Sequence, residues 1–499
     1  MRVLDIAGYD ADFVSGFLRE QLEIAEVRTR VIMHERRNIG AGRMKHLHQV
    51  APNEASGARD KYLSRLQFQG SYLRRRYCPR FLVIAIRASS LLWQCLLTKL
   101  VHITTVPDML PFFTGQVGYV KDRGYEIEAI ASPGKDLDRF AAEEKIRAHA
   151  VPMTRRITPL RDLLALERLW FRLRQSKPQI VHAHTPKGGL LGMIAAWLNG
   201  VPVRIYHVHG LPLMTATGWK LALLKWTERV SCALAHDVLC DSRSVREVVV
   251  AEGLCRAEKI RVLLGGSVNG VDALAAFNPA RVAAHVRANI RAAYGIRPDA
   301  VVAGFVGRLV RDKGLAELAA AWAMLRDEFP KLHLLIIGVF EPHDPVAPEV
   351  KALLCGDPRV HLTGAVAEVT SFYAAMDLVV LPTYREGLPV VPLEAAAMEL
   401  PVVATRIPGC VEAVEDGVTG TLVPARDAVA LADAARMYLR DPKLRRKHGC
   451  AGRARVLSQF RQEAIWEAVY QEYERLLSER GIKGREPAHS SVRKSEPSS

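Results

Sequence analysis

Two carboxylates at a fixed spacing are the most informative chemical feature of this sequence. Glu386 and Glu394 are separated by seven residues. Ionised carboxylates accept hydrogen bonds, so the pair could bind hydroxyl groups of a ligand from two sides. The free backbone N–H groups of residues 387–391 lie between them and would suit a phosphate or a hydroxyl. Two glutamates at this spacing alone are more often solvated surface charges, so the interpretation depends on the elements that hold them.

A buried strand and a helix are predicted on either side of this loop. Residues 378–381 form an apolar run, as a strand of a parallel sheet does. A helix is predicted at about 391–398, with Pro392 in its first turn and three alanines after Glu394. Its dipole would add about 0.3–1 kcal/mol to the binding of an anion at its N-terminus. Glu386 therefore lies in the loop after the strand, and Glu394 lies in the helix.

The sequence around the two glutamates resembles a known family. REGLP, PVVATRIPGC and EDGVTGTLVP frame the pair and look like the donor-binding region of the family 4 retaining glycosyltransferases, which have the GT-B fold. The resemblance implies that Glu386 contacts hydroxyls of the donor sugar, that Glu394 holds the ribose hydroxyls of the nucleotide, and that the loop backbone meets the diphosphate and the sugar. The donor-binding residues implied for this region are Glu386, Gly387, Leu388, Pro389, Val390 and Glu394.

A second loop carries two cations that match the family's diphosphate-binding residues. A predicted strand is followed by VGRLVRDKG, which contains Gly307, Arg308 and Lys313. A departing nucleotide diphosphate gains negative charge in the transition state, and fixed cations stabilise that charge. Both side chains would otherwise be ordinary surface charges, and the surrounding frame favours the functional interpretation. Farther along, Gly364 and Val366 match the place where the family's backbone meets the nucleotide base.

Two histidines follow a predicted strand in the first half of the chain. That strand runs into HVHG, in which His209 matches a family histidine at the carboxyl end of a strand, facing the donor sugar. His207 shares the same face if the strand continues, and it is a second candidate. A lone histidine is more often structural, but the location at a strand end favours a functional role for His209. With Arg308, Lys313 and Glu386 it completes the predicted catalytic set.

The composition limits the partners. The chain has 499 residues, 49% of them hydrophobic, and a formal net charge of +16. The charge suggests an acidic partner, such as anionic lipid or a phosphorylated substrate. Nucleic acid is the weakest choice, because no nucleic-acid-binding module is recognisable. The eight cysteines are scattered and no cluster has metal-ligand spacing, which fits free thiols in a reducing cytoplasm. The resemblance likewise implies no essential metal, and no other cofactor is expected.

The strand and helix patterns divide the chain into five parts. Residues 1–97 form a basic extension with poor patterns, which is either a membrane-touching segment or a disordered or mis-assigned start. Two Rossmann-like, doubly wound α/β domains are expected to face each other across a cleft, an acceptor-side domain at 98–275 and a nucleotide-sugar-binding domain at 276–460. Residues 461–483 resemble the family helix that crosses back onto the first domain. The last part, 484–499, is expected to be a disordered tail.

The resemblance implies a retaining transferase for a hexose or an N-acetylhexosamine, with a nucleotide-sugar donor and uridine as the expected base. As in family members that build bacterial surface polysaccharides, the expected acceptor is a glycan linked to polyprenyl diphosphate. The apolar stretch 81–97 is shorter than the roughly 20 residues that span a bilayer, so it is not expected to cross the membrane. A membrane-bound acceptor implies a cytoplasmic protein that is peripheral on the inner face of the membrane, where nucleotide sugars are made. A nucleotide-sugar 2-epimerase and a non-catalytic nucleotide-sugar sensor remain alternatives.

A predicted helix at 218–235 bears on contact with the membrane. Trp219, Leu223, Trp226 and Val230 fall on one stripe at helical spacing, with cations beside them. The commoner meaning of such a stripe is packing against the parent sheet. The sharper hypothesis is that this surface, with the arginine-rich helix predicted before it, lies against an anionic membrane, because interfacial helices combine tryptophans with cationic flanks.

Overall fold

The computed structural model describes residues 97–482 with the exception of His343. The expectations for the N-terminal extension up to residue 96 and for the tail at 484–499 fall outside the described residues. Within the described range, no helix combines the length and the apolar character that crossing a membrane requires.

The first sheet has seven parallel strands in the spatial order β3-β2-β1-β4-β5-β6-β7. Most strands are buried apolar runs joined by helices, which is the pattern of a doubly wound domain. The strands are β1 (Thr98–Ile103), β2 (Tyr125–Ala131), β3 (Arg147–Ala150), β4 (Ile180–His184), β5 (Val203–Val208), β6 (Asp237–Cys240) and β7 (Ile260–Arg261). The helices are α1 (Gln116–Lys121), α2 (Lys135–Glu144), α3 (Pro159–Ser176), α4 (Pro186–Leu198), α5 (Gly218–Leu234) and α6 (Arg243–Ala251).

The second sheet has six parallel strands in the order β10-β9-β8-β11-β12-β13. Its strands are β8 (Val301–Val306), β9 (Leu332–Ile337), β10 (Val360–Gly364), β11 (Leu378–Leu381), β12 (Val402–Thr405) and β13 (Gly420–Val423). The helices that follow the first sheet are α7 (Ala284–Ala293), α8 (Leu315–Leu325), α9 (Pro348–Gly356), α10 (Thr370–Ala375), α11 (Val390–Ala397), α12 (Cys410–Ala413), α13 (Ala428–Arg440), α14 (Pro442–Gln459) and α15 (Gln462–Ser478). Short 3-10 helices span Pro107–Phe113, Pro212–Thr215, Pro279–Arg281 and Arg311–Lys313. The expected pair of Rossmann-like domains is therefore confirmed.

Strand order reverses once in each sheet, between β1 and β4 and between β8 and β11. Ligands of open parallel sheets bind outside the carboxyl ends of the strands at such reversals. The strand predicted at 378–381 matches β11, and the helix predicted at 391–398 begins one residue earlier, as α11. The loop with Glu386 therefore leaves the sheet at its reversal.

The last helix of the described range completes the core of the first domain. From α15, Tyr470 and Tyr473 are buried in the same hydrophobic cluster as Tyr125 of β2. The Tyr125 hydroxyl donates to Glu474 Oε1 at 2.5 Å, and Arg475 Nη2 lies 2.5 Å from Asp237 Oδ2. The first sheet is thus covered on one face by a helix that follows the second domain in sequence.

The two domains also meet at the N-terminus of α6. The Ser242 hydroxyl donates to the Gly387 carbonyl at 2.7 Å. The Glu412 carboxylate accepts from the backbone N–H and the hydroxyl of Ser244, each at 2.6 Å. The Ser244 hydroxyl in turn accepts from the Gly409 N–H at 2.8 Å. The first of these bonds holds the loop that contains Glu386 against the first domain, and the others hold α12 and the residue before it.

Helix α5 does not bury the tryptophans of its predicted stripe. It turns Glu228, Ser231 and Cys232 inward, whereas Trp219 is 73% exposed and Trp226 is 58% exposed. The interpretation that both tryptophans pack against the parent sheet is therefore wrong.

Candidate functional site

Residues of both domains line one cavity of about 140 Å³ at the carboxyl ends of the two sheets. The first domain supplies the segment after β5, and the second domain supplies the loops after β8 and β11. Five residues predicted from the sequence are brought together here. The described lining residues are His209, Gly210, Leu211, Arg308, Val310, Asp312, Lys313, Arg385, Glu386 and Gly387.

Lys313 and Glu386 form an ion pair in this cavity. Lys313 Nζ lies 2.5 Å from Glu386 Oε1, and the side chains are 19% and 12% exposed. The turn that carries Lys313 ends at Gly314, whose φ is +70° and where a Cβ atom would lie 1.8 Å from the Pro382 carbonyl oxygen. Only glycine allows this approach of the two loops. The two charged groups are therefore adjacent in the wall of the cavity.

Arg308 lies at the wider side of the cavity and is 48% exposed. Its Nη1 is 3.2 Å from Glu341 Oε2, and Arg385 Nε is 2.7 Å from Asp312 Oδ2. Glu341, Asp312 and Arg385 were not predicted from the sequence. The two carboxylates offset part of the positive charge around the cavity, and Arg308 remains able to reach an anionic ligand.

Gly387 lies at a close approach of the two domains. A Cβ atom on Gly387 would stand 2.5 Å from the His209 carbonyl oxygen and 3.0 Å from the Gly210 nitrogen. A side chain at position 387 would therefore push the domains apart. The next residue, Leu388, buries its side chain in a hydrophobic cluster beneath the loop. Pro389 directly precedes α11 and has no N–H group. The expectation that it donates a backbone hydrogen bond to a phosphate, as the other loop residues could, is therefore wrong.

The residues expected to contact the nucleotide are not among the lining residues of this cavity. Glu394, on α11, accepts a hydrogen bond from the Tyr373 hydroxyl at 2.8 Å. Burial raises the pKa of Glu394 to about 7, and this hydrogen bond opposes the shift. Gly364 ends β10 and accepts from the Gly338 N–H at 3.0 Å. Val366 packs, half-buried, against the core of the second domain. Val390 is the first residue of α11, and Gly307 directly follows β8 with a φ of +149°.

Five histidines lie on one face of the first sheet beside the cavity. The register places His102 opposite His182 and His184 opposite His207. Because side chains two residues apart share a face, His209 extends this row beyond the end of β5. The described residues contain two groups of three imidazoles close enough to hold a metal ion: His102, His182 and His184, and His184, His207 and His209. No cluster of this kind is visible in the sequence, because its members come from different strands.

Ring nitrogens of His209, His184 and His102 form one chain of hydrogen bonds that begins at Asp241. His209 Nδ1 is 2.9 Å from Asp241 Oδ2, and His209 Nε2 is 2.9 Å from His184 Nδ1. His184 Nε2 is 3.0 Å from His102 Nδ1. An ionised carboxylate only accepts, so in neutral His209 the single ring proton lies on Nδ1. His184 then donates to His209 through Nδ1–H, and His102 donates to His184 through Nδ1–H. The Asp241 carboxylate thus determines which nitrogen donates in each hydrogen bond from His209 to His102.

Burial sets the charge of this row. It lowers the pKa of His207 to about 4 and that of His102 to about 3, and the pKa of His184 lies well below its usual range for the same reason. Burial would raise the pKa of Asp241, but the contacts with His209 and His207 more than offset it, so that this pKa lies well below its usual range. Burial thus favours the neutral forms of His102, His184 and His207, beside a carboxylate that favours its ionised form.

His209 therefore lines the predicted side of the cleft with both ring nitrogens engaged. A donor hydroxyl could bind His209 Nε2 only by displacing His184. His207 Nε2 lies 2.9 Å from Asp241 Oδ1, which places it behind the cavity. Asp241 was not predicted from the sequence. The sequence feature that could have identified Asp241 is its position: it directly follows the buried strand β6, at the same edge of the sheet as His209.

Replacing Asp241 by asparagine is expected to lower the free energy of unfolding by about 1–3 kcal/mol. The substitution puts an amide N–H group opposite a ring N–H and leaves a buried donor unsatisfied. Urea unfolding monitored by circular dichroism measures the change. Asp299→Asn is the matched control, because Asp299 is about half-exposed and pairs only with surface cations; a surface substitution of this kind usually changes stability by less than about 0.5 kcal/mol. Equal stability of the two variants would contradict the role given to Asp241.

Two family models and several known proteins match this chain. A family model described as "Glycosyl transferase 4-like domain" matches residues 112–266, and one described as "Glycosyl transferases group 1" matches residues 300–441. The capsular polysaccharide biosynthesis glycosyltransferase CapM of Staphylococcus aureus is 33% identical over 385 residues, which are 76% of this chain and 98% of CapM. An Escherichia coli enzyme, UDP-Gal:alpha-D-GlcNAc-diphosphoundecaprenol alpha-1,3-galactosyltransferase, is 29% identical over 308 residues, 61% of this chain and 77% of that protein.

A solved structure shows the same fold. The crystal structure of Anabaena Alr3699/HepE in complex with UDP superimposes with a TM-score of 0.61 at 20% identity and covers 76% of this chain and 100% of the other. Two doubly wound domains with a cleft between their carboxyl edges constitute the GT-B fold, as the sequence predicted. The match to CapM over nearly its whole length extends the similarity from fold to family. This chain belongs to the family 4 glycosyltransferases of bacterial surface polysaccharide synthesis.

Proposed function

We propose that this glycosyltransferase moves a hexose or an N-acetylhexosamine, with retention of configuration, from a UDP-sugar to a hydroxyl of a glycan linked to polyprenyl diphosphate. One observation carries the proposal: Lys313, Glu386 and Arg308 meet in a cavity between the domains, opposite His209. The UDP bound to HepE and the lipid-linked acceptor named for the E. coli relative support the classes of donor and acceptor.

The arrangement suits departure of a nucleoside diphosphate. Lys313 and Arg308 would bind its oxygens and stabilise the negative charge that develops there. Glu386 would accept from hydroxyls of the donor sugar once Lys313 turns toward the phosphate. Glu394 has one carboxylate oxygen bonded to Tyr373, and the other would accept from the ribose. Gly364 and Val366 would lie against the base. We assign no step to a metal ion.

A screen of nucleotide sugars with a short-chain polyprenyl-diphosphate-linked sugar tests this function. We expect one UDP-sugar to give a new lipid-linked product, whose anomeric configuration NMR would show to be that of the donor. Conversion of the donor without any acceptor would identify a 2-epimerase instead. Tight binding of a nucleotide sugar, seen as a thermal shift without turnover, would identify a sensor.

The outer surface of the first domain has the character of a membrane-contacting face. Helix α4 packs between α3 and α5. These helices expose large apolar side chains, among them Leu160 at 82%, Leu163 at 65% and Trp219 at 73%. Exposed arginines of α3 lie among them. Each Lys or Arg near an anionic bilayer contributes about 1 kcal/mol, and the apolar side chains would insert at the interface. We propose that the enzyme is a peripheral protein of the cytoplasmic face, where this surface brings the cleft to its lipid-linked acceptor.

Flotation with liposomes tests the membrane-contacting face. Wild-type protein is expected to float with vesicles that contain anionic lipid, and less so at high salt. Trp219→Ser combined with Trp226→Ser should reduce flotation, because both side chains are exposed on α5. Val429→Ser combined with Met437→Ser is the matched control, since these side chains are exposed on the second domain at 57% and 46%. Failure of the wild-type protein to float with anionic or neutral vesicles would favour a soluble acceptor.

A further inference from the structure

A wider part of the cleft opens beyond the donor cavity. It has a volume of about 940 Å³ and shares Arg308, Asp312 and Arg385 with that cavity. Its described lining is rich in charge and contains six cations and four acids. The cations are Arg155, Arg156, Lys220, Arg308, Arg311 and Arg385.

All four acidic residues of this lining form ion pairs. Each acid lies between 2.6 and 3.4 Å from one of the cations. The acids are Asp108, Asp312, Glu341 and Asp344. Arg156 and Lys220 remain, and neither has an ion-pair partner among the residues that the structure describes. This part of the cleft therefore carries a net charge of about +2, and these two residues hold it.

Both residues stand on backbone that is held in place. The Arg156 carbonyl accepts hydrogen bonds from the Thr154 hydroxyl at 3.1 Å and from Lys187 Nζ. Lys187 Nζ is also 2.7 Å from Asp162, which anchors the same turn to α3. Lys220 belongs to the first turn of α5. The two charges thus project from fixed points into the cleft.

Arg156 and Lys220 lie next to exposed apolar residues and line the same space as cations of the donor cavity. Ile157 follows Arg156 and is 46% exposed, and Trp219 precedes Lys220 and is 73% exposed. The membrane-contacting face therefore begins directly beside this pair. On the other side, Arg308 and Arg385 also line the donor cavity. Arg156 and Lys220 therefore line the same open space as two cations of the donor cavity.

We propose that Arg156 and Lys220 form the binding site for the diphosphate of the lipid-linked acceptor. The diphosphate that joins a prenyl chain to a sugar carries two negative charges, which equals the unpaired positive charge of this site. With the prenyl chain in the membrane and the diphosphate held here, the acceptor sugar extends toward Lys313 and Glu386. The inference rests on the proposed function, because only a lipid-linked acceptor places a diphosphate between a bilayer and the donor.

A binding measurement tests the site without turnover. Geranyl diphosphate is titrated by calorimetry into protein saturated with UDP, which occupies the cations of the donor cavity. We expect the wild-type protein to bind it and Arg156→Ala combined with Lys220→Ala to bind at least tenfold more weakly. Arg446→Ala combined with Lys447→Ala is the control of equal charge change and should bind as the wild type does, because both side chains are exposed on α14 of the second domain and neither lines the cleft. Equal affinity of all three proteins, or equal weakening in both variants, would overturn the proposal.

Two further measurements separate the sources of phosphate and the two proposals. The Arg156/Lys220 variant should still float with anionic vesicles that lack acceptor, and loss of flotation in parallel with loss of geranyl diphosphate binding would assign the site to lipid headgroups instead. Its KM for a lipid-diphosphate-linked sugar should rise about tenfold or more with little change in kcat, while its KM for an alkyl glycoside acceptor should not change. A raised KM for both acceptors would overturn the proposal. Binding of geranyl diphosphate by this site without transfer to any acceptor would refute the proposed function and leave the site standing.

Discussion

Lys313→Ala is expected to lower the rate of sugar transfer by roughly 100- to 1000-fold, which corresponds to about 2.7–4 kcal/mol of transition-state stabilisation. Lys313 is the less exposed of the two predicted diphosphate-binding cations, with a side chain 19% exposed against 48% for Arg308. Its charge is therefore less screened by water. Glu386→Ala should cause a loss of the same order, because it removes both a hydroxyl acceptor and the partner that positions Lys313.

Initial rates with saturating donor and acceptor measure these losses. Lys331→Ala is the matched control: Lys331 directly precedes β9, at the opposite edge of the sheet, and forms an exposed pair with Asp299. Circular dichroism and thermal unfolding should show that all variants keep the fold, because the mutated loops contribute little to the core. Turnover near the wild-type rate in either Lys313→Ala or Glu386→Ala would remove that residue from the site.

The buried histidines predict that the first domain loses stability in mild acid. His102, His182, His184 and His207 all have a pKa below the ordinary value near 6.5, mainly because of burial. Below pH 6.5 the unfolded chain binds a proton at each of these positions and the folded chain does not, so the free energy of unfolding falls as the pH falls. The loss continues to about pH 4 for His207 and about pH 3 for His102. At pH 5 His207 and His102 each remove about 2 kcal/mol, and His182 and His184 act in the same direction.

Asp241 adds nothing to this pH window. Its pKa in the folded state lies below its ordinary value, so the carboxyl is ionised at pH 5 in both states and its stabilising effect is lost only in stronger acid. Urea unfolding at pH 8, 6.5 and 5 measures the slope. His182→Leu should reduce this slope below pH 6.5, and His285→Leu, at an exposed position of α7, is the matched control. The same slope in wild type and His182→Leu would show that the buried row does not control acid stability.

Local patterns predicted most of the fold. The apolar run at 378–381 is β11, and the helix after the Glu386 loop begins within one residue of its expected position. Such elements are predictable because the pattern of apolar residues that indicates burial and periodicity lies within a short stretch of sequence. The apolar pattern at 259–264 also predicts a strand, but only Ile260–Arg261 forms β7. At the edge of a sheet, a strand is limited by its pairing with one neighbour, and an apolar sequence alone does not show how far that pairing extends.

The proximity of four of the predicted site residues could be anticipated from similar local signals. Arg308, Lys313, Glu386 and His209 each lie in a loop directly after a strand, and the carboxyl edges of two parallel sheets bring such loops together. Their partners could not be predicted, because contacts such as Asp241 to His209 join positions 32 residues apart through the register of neighbouring strands. Pro389 was wrongly included among the amide donors, although its residue type alone excludes an N–H group.

The helix α15 has a consequence for the synthesis of this protein. Tyr470 and Tyr473 of α15 bury the outer face of a sheet whose last strand, β7, ends at Arg261. The ribosome must therefore add roughly 200 residues after that strand before the first domain can close its core, which takes about 10–40 s at 5–20 residues per second. During this interval Tyr125 and its neighbours remain without their cover. A nascent chain stalled before residue 462 should thus bind chaperones through the first domain, and release should follow once α15 has been made.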